Sequence, residues 1–241
     1  MELNRIYNQD CIDGMAGIPD KSIDCVVCDL PYYNVVSADF DRQWSCEEDY
    51  LGWVQRVITE YKRILKDNGN LFLFTSRQFN RTICGMLDKL FTEKRIIIWC
   101  RKRGFNQTRG HALASGYEPI AYYCNGDKGT FNNIKVKVDS KRPEYTKGTL
   151  KDGITLSDVW SDIPALPHNA KEKTAHPTQK PYRLIERIVL LGTDEGDTVL
   201  DNCMGSGTTA VVCRDLGRNF IGFENNGEYF RIAQERLNSG F

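Results

Sequence analysis

Apolar positions along the 241-residue chain follow two rhythms that alternate. Short β-branched and apolar runs, such as 22–29 and 198–201, predict strands buried on both faces, as parallel sheets require. Between such runs the spacing lengthens. Tyr50, Leu51, Val54, Val57, Ile58, Tyr61, Ile64 and Leu65 share one helical face. Ser45-Cys46-Glu47-Glu48 matches a capping box that would open this helix, and Asn68-Gly69 would close it. In chain order the pattern predicts strands at 5–8 and 22–29, the helix just described, a strand at 71–74, a helix near 77–90 and a strand at 95–100. From residue 182 it predicts a helix to 191, a strand at 198–201, a helix at 208–216, a strand at 220–224 and a helix at 228–237. Strands alternating with helices predict an α/β fold, a doubly wound and mostly parallel sheet with helices on both faces.

The rhythm breaks between about 101 and 175, where Gly, Asn, Lys, Arg and Asp dominate and only 119–124 resembles a strand. This divides the chain into a core segment 1–100, an insertion 101–175 and a second core segment 176–241. Charge sharpens the division. The chain has 32 Lys+Arg and 32 Asp+Glu, but residues 94–151 hold 13 basic and 4 acidic residues, leaving 19 and 28 elsewhere. A net charge of zero is therefore a stretch of +9 set against −9. Aromatic residues are interleaved with the basic ones (Trp99, Phe105, Tyr117, Tyr122, Tyr123, Phe131, Tyr145), a combination suited to phosphate contacts plus base stacking. Arg101, Lys102, Arg103, Arg109, Lys135, Lys137, Lys141 and Arg142 are the candidate nucleic-acid contacts. No apolar run approaches the ~20 residues of a membrane helix. The polar N-terminus lacks the apolar stretch of a secretory signal. Nine cysteines without paired metal-ligand spacing suggest reduced, metal-free thiols in a cytoplasmic protein.

Two motifs carry chemistry. Asp201-Asn202-Cys203-Met204-Gly205-Ser206-Gly207-Thr208 follows a predicted strand and opens a helix, with Glu224 at the end of the next strand. Glycines there let a ligand approach the backbone, and the acidic residue can accept from ribose hydroxyls. On its own this motif fits either a dinucleotide or S-adenosylmethionine. The second motif, Asp29-Leu30-Pro31-Tyr32, ends a buried strand. The Asp29 carboxylate and the Leu30 carbonyl can accept the two hydrogens of an exocyclic amine, Pro31 fixes the turn, and Tyr32 offers a stacking face. Holding both hydrogens favours a pyramidal nitrogen whose lone pair can meet a sulfonium methyl, which is catalysis by orientation and electrostatics.

Together with His176-Pro177-Thr178-Gln179-Lys180-Pro181, these motifs occur in an order and spacing that resembles the β-group of amino-methylating DNA methyltransferases, the N6-adenine and N4-cytosine enzymes. The resemblance covers nearly the whole chain. It implies the Rossmann-like methyltransferase fold, S-adenosylmethionine as cofactor and DNA as partner, and it leaves a homodimer and a companion restriction enzyme open. It places Asp10 and Cys11 against the cofactor adenine, and Lys180 and Pro181 near its methionine end. Gly205, Ser206, Gly207 and Thr208 join that end, Glu224 meets the ribose, and Asp29, Asp201, Asn202 and Asn225 complete the pocket. Residues from Trp99 through Arg109, Glu118, Tyr122 and Thr130-Phe131-Asn132 resemble the stretch leading into target recognition. Asp at position 29, where N4-cytosine enzymes more often carry Ser, favours adenine N6.

Two departures stand out. Leu30 replaces the first proline of the usual Asp-Pro-Pro-Tyr, and Asn202-Cys203 replaces the usual Pro-Phe after Asp201. Neither removes a charged or hydrogen-bonding group. Among rival readings, a nicotinamide dehydrogenase gives residues 29–32 no role. A cytosine-C5 enzyme needs a Pro-Cys nucleophile, which none of the eight prolines supplies. An RNA-directed relative and a non-catalytic DNA-binding relative remain as alternatives.

Overall fold

The computed structural model describes residues 1–35, 38–101, 115–136 and 153–239. Its centre is an eight-stranded sheet of order β1-β10-β9-β2-β3-β5-β4-β8. These strands are β1 (Arg5–Tyr7), β2 (Ile23–Asp29), β3 (Leu65–Phe74), β4 (Thr92–Cys100), β5 (Tyr117–Cys124), β8 (Val159–Trp160), β9 (Thr198–Asp201) and β10 (Asn219–Phe223). A separate two-stranded ribbon pairs β6 (Lys135–Val136) with β7 (Ile154–Thr155). From β1 to β3 every pairing is parallel, while β5 runs antiparallel to both β3 and β4.

Both sheet faces are covered, as the continuous apolar strands require. Val26 and Cys28 of β2 face one core with Tyr50, Val54, Ile58 and Tyr61 of α2 (Glu47–Ile64), and with α1 (Cys11–Ala16) and α3 (Asn80–Leu87). Cys25 and Val27 face a second core with Leu184 and Ile188 of α4 (Tyr182–Gly192), Val212 of α5 (Thr208–Asp215) and Ala233 of α6 (Gly227–Ser239). From the adjacent strands β2 and β9 the chain departs in opposite directions: β2 through α2 to β3, and β9 through α5 to β10. This is a switch point, where the crevice of a doubly wound sheet opens at the carboxyl ends of the strands. Asp29 and Asp201 end those two strands.

The departures from the sequence reading have local causes. Cys46, not Ser45, is the N-cap of α2 and makes no side-chain cap bond; Glu47, Glu48 and Asp49 instead place negative charge at the helix N-terminus. The helix ends at Ile64, several residues before Gly69, because Leu65 is already extended and pairs with Ile23 ahead of an irregularity in the ladder. Helix α1 was not expected from the sequence; its six residues are too short to display a period. The largest correction concerns 101–175. β5 lies inside the main sheet between β3 and β4, and β8 extends the edge beside β4. The insertion is thus interrupted by core strands.

Candidate active site

A cleft of about 770 Å³ opens over the ends of β2, β9 and β10. It continues into a second space of about 370 Å³ beneath the glycine turn. Gln9, Asp10, Cys11, Asp29 to Tyr32, Asn202, Cys203, Gly205, Glu224 and Asn225 line the first; Asp29, Lys180, Asp201, Gly205, Ser206 and Thr208 line the second. The structure therefore gathers residues some 200 positions apart along the chain.

On the β9 side, backbone geometry makes the site. Gly205 and Gly207 have φ of +54° and +79°, the left-handed region that glycine tolerates. The Gly205 N–H donates to Glu224 Oε2 at 2.8 Å and the Asn226 N–H to Oε1 at 2.8 Å, so Glu224 fixes the turn that it faces. Arg236 of α6 supports the same turn from below, donating to the Ser206 carbonyl at 2.7 Å and to Thr208 Oγ1 at 3.0 Å. Asp201 accepts from Thr209 Oγ1 at 2.6 Å and from the Cys203 N–H at 3.1 Å, yet its burial pushes its pKa up to about 7. The Tyr61 hydroxyl donates to Asn202 Oδ1 at 2.5 Å. Asp10 caps α1 through the N–H groups of Ile12 and Asp13.

On the β2 side, charge makes the site. Tyr32 Oη donates to Asp29 Oδ1 at 2.9 Å and Lys180 Nζ to Oδ2 at 2.6 Å. Lys180 also lies 3.2 Å from Glu118 Oε2, and Arg101 Nη1 donates to Glu118 Oε1 at 2.8 Å. Burial raises the Asp29 carboxyl above its ordinary pKa; Lys180 opposes this and Glu118 adds to it. The turn itself is pinned by the buried Asp41, whose Oδ1 accepts the Tyr32 N–H at 2.6 Å. Leu30, which occupies the usual proline position, is only 2% exposed and packs in the core. Burial of its side chain and the Asp41 bond both restrain the turn.

His176 stands between the two sides. Its ring stacks on Phe40 with centroids 5.9 Å apart and meets Tyr229 edge-on at 4.4 Å. Burial, helped by Lys173, Lys180 and Arg236, drives its pKa down to about 3. The imidazole is neutral and shapes the cleft beside Gly205.

Among the expected site residues, the cleft brings together Asp10, Cys11, Asp29 to Tyr32, Lys180, Asp201, Asn202, Gly205, Ser206, Thr208, Glu224 and Asn225 in one continuous region, while Gly207 faces Ala233 of α6. Pro181 is buried as the N-cap of α4. Lys180 reaches the Asp29 carboxylate. Arg101 departs from its expected role as a phosphate contact, since its guanidinium turns inward to Glu118 and to Ser115 Oγ at 3.3 Å. Lys135 is exposed on β6. Lys102, Arg103, Arg109, Lys137, Lys141 and Arg142 lie outside the described residues. Asp41, Phe40, Tyr229 and Arg236 were missed, because single side chains in loops or on an amphipathic helix carry no sequence signal of a site.

Five carboxylates (Asp10, Asp29, Asp41, Asp201, Glu224) and one ammonium, Lys180, line these spaces among the described residues. Such a lining suits a cationic ligand and disfavours the pyrophosphate of a dinucleotide.

A sequence profile of DNA methylases, the N6/N4 methyltransferase family, matches residues 23–235. The chain belongs to this family. It is 33% identical to DNA adenine methyltransferase YhdJ of Escherichia coli K12 across 98% of its own length and 83% of that protein. It is 32% identical to the type II methyltransferase M1.MboII of Moraxella bovis, across 99% and 98% of the two chains. Among solved structures, an M1.HpyAVI–SAM complex superposes with a TM-score of 0.68 at 24% identity, covering 97% of this chain and 98% of that one. The cytosine-N4-specific PvuII methyltransferase superposes at 0.75 with 17% identity, covering 98% and 87%. These likenesses establish the Rossmann-like methyltransferase fold. Among the described residues no helix is long and apolar enough to cross a membrane.

Proposed function

We propose that this DNA methylase transfers a methyl group from S-adenosylmethionine to the N6 amine of adenine, directly and without a covalent enzyme intermediate. The observation that carries this reading is the position of Asp29. It ends β2 at the switch point, and its cleft is continuous with the glycine turn. Supporting the cofactor are the carboxylate-rich lining of the cleft and the Glu224-braced turn. Residues 205–208 with Glu224 would hold it, and bound there it would supply an electrophilic sulfonium methyl.

The residues of the β2 side do the rest. The Asp29 carboxylate and the Leu30 carbonyl accept the two amine hydrogens, which directs the nitrogen lone pair at the methyl. The amine nitrogen would take the methyl as its bond to sulfur breaks, and would release its proton to Asp29 or water. Asp29 Oδ1 already holds the Tyr32 hydroxyl, so the incoming amine shares that oxygen and Tyr32 lies beside the base. In a duplex the target must leave the stack at a cost of a few kcal/mol, part of which stacking on Tyr32 returns. The basic residues within 94–151 would bind the phosphates.

Nucleoside mass spectrometry of DNA from a methylation-free host expressing the chain tests the base assignment. N6-methyladenine is expected; N4-methylcytosine in its place overturns the assignment to adenine while keeping the amine chemistry.

A further inference from the structure

The amine-binding carboxylate is the first of four charges alternating in sign. Asp29, Lys180, Glu118 and Arg101 are linked at 2.6, 3.2 and 2.8 Å. They come from β2, the segment before α4, β5 and the end of β4, so tertiary structure alone assembles them. Side-chain exposure is 23%, 9%, 14% and 16% along the series. Charges this sheltered are tolerated only where each is matched by its neighbours. Lys180 is the shared member, since one ammonium divides its attraction between two carboxylates. Phe74 and Tyr32 present ring faces to it at 5.0 and 5.6 Å.

We propose that Glu118 is a positioning residue for methyl transfer: it gives Lys180 a second carboxylate partner beside Asp29, and so keeps the Asp29 carboxylate a strong acceptor for the target amine. With the Glu118 charge removed, Lys180 would have a single anionic partner, and its existing 2.6 Å contact would withdraw more charge from Asp29. Arg101 keeps Glu118 in place, and its backbone N–H donates to the Gly116 carbonyl, tying β4 to β5 at the base of 102–114. This inference rests on the methyl-transfer reading above.

The sign of the effect follows from the groups that face Asp29. Tyr32 and Lys180 donate to it. Glu118 lies beyond Lys180, Asp201 ends the neighbouring strand, Tyr50 approaches from α2, and Cys28 precedes it on β2. Glu118 raises the Asp29 pKa and Lys180 lowers it. Removing the Glu118 charge therefore lowers that pKa, moving the acid limb of the transfer rate to lower pH while the plateau falls.

Glu118→Gln and Glu118→Asp test this, with two readouts. The first is single-turnover methyl transfer to DNA against pH, with the KM for S-adenosylmethionine measured separately. The second is the carboxyl titration of Asp29 by carbon NMR, assigned with Asp29→Asn, which needs no activity. We expect Glu118→Gln to lower the plateau ten- to a hundredfold, on the order of what displacing a reacting group costs. It should also move both the limb and the titration to lower pH, with little change in KM, and Glu118→Asp should restore most of each. An unmoved titration, or a moved titration with an unchanged rate, overturns the proposal; so does a rate lost only in step with thermal stability. Wild-type protein that transfers no methyl to DNA, with the titration shifting as described, would instead bring down the methyl-transfer reading.

Discussion

The two sides of the cleft solve the same problem, holding polar groups out of water, by different means. Around β9 and β10 the carboxylates of Asp201 and Glu224 are met by backbone N–H groups and a hydroxyl, and two left-handed glycines set the geometry. Around β2 the Asp29 carboxylate is met by an ammonium shared with a second carboxylate. The first arrangement depends on the path of the main chain, the second on a balance of side-chain charges. Substitutions that leave one side intact should therefore disable the other.

The largest effect is expected from Asp29→Ala. Loss of an electrostatic contact to the reacting group typically costs about 10²–10³ in kcat, and Lys180 would keep Glu118 as its counter-charge. Calorimetric titration should still detect cofactor binding, because the β9 side is untouched. Near-normal turnover in this variant would refute the role of Asp29.

Gly207→Ala attacks the other side. A Cβ there would lie 2.9 Å from both Cα and Cβ of Ala233, in a backbone conformation at φ +79° that L residues rarely adopt. Strain of this kind costs about 1–3 kcal/mol, and each kcal/mol lowers the Tm of a domain this size by roughly 2–4 °C. Thermal scans with and without S-adenosylhomocysteine should show a lower Tm and a smaller ligand-induced rise. Wild-type values in both scans would mean that the turn does not depend on glycine.

His176→Phe should have the smallest consequence, and it separates shape from protonation. The buried imidazole has its pKa lowered from 6.5 to about 3, so the unfolded chain takes up the proton first as pH falls. That uptake removes stability as pH drops from about 6.5 toward 3. Phenylalanine keeps the stack with Phe40 and Tyr229 and cannot be protonated. Between pH 7.5 and 5 the variant should lose less Tm than the wild type, with turnover at neutral pH within a few-fold. An equal loss in both proteins would show that His176 is not the titrating group.

Strands and the glycine turn were legible in the sequence because each carries its own periodic or glycine signal. β2 and β9 read as strands from seven and four residues of mostly apolar sequence because both faces are buried. Strand direction was not legible. The residues of β5 are as apolar in an antiparallel place as they would be in a parallel one, so 117–124 passed for part of an insertion. At the site, Asp29 and the glycines could be found because local motifs surround them. The partnership of Lys180 with Glu118 could not, since it joins residues 62 positions apart whose contact exists only once β5 enters the sheet. Asp41 was hidden in the same way: a single carboxylate in a loop of turn formers gives no sign that it will hold the Tyr32 amide.

One feature of β4 and β5 bears on how such proteins diversify. The Arg101–Gly116 backbone bond closes the β4–β5 pairing, and the ladder from Cys100–Tyr117 onward needs no residue between 101 and 116. Residues between these two points can therefore change in number and kind while the strand register stays fixed. On the proposed reading of the basic stretch as the DNA contact, exchanging 102–114 between relatives should alter target preference and leave the pairing of β4 with β5 intact.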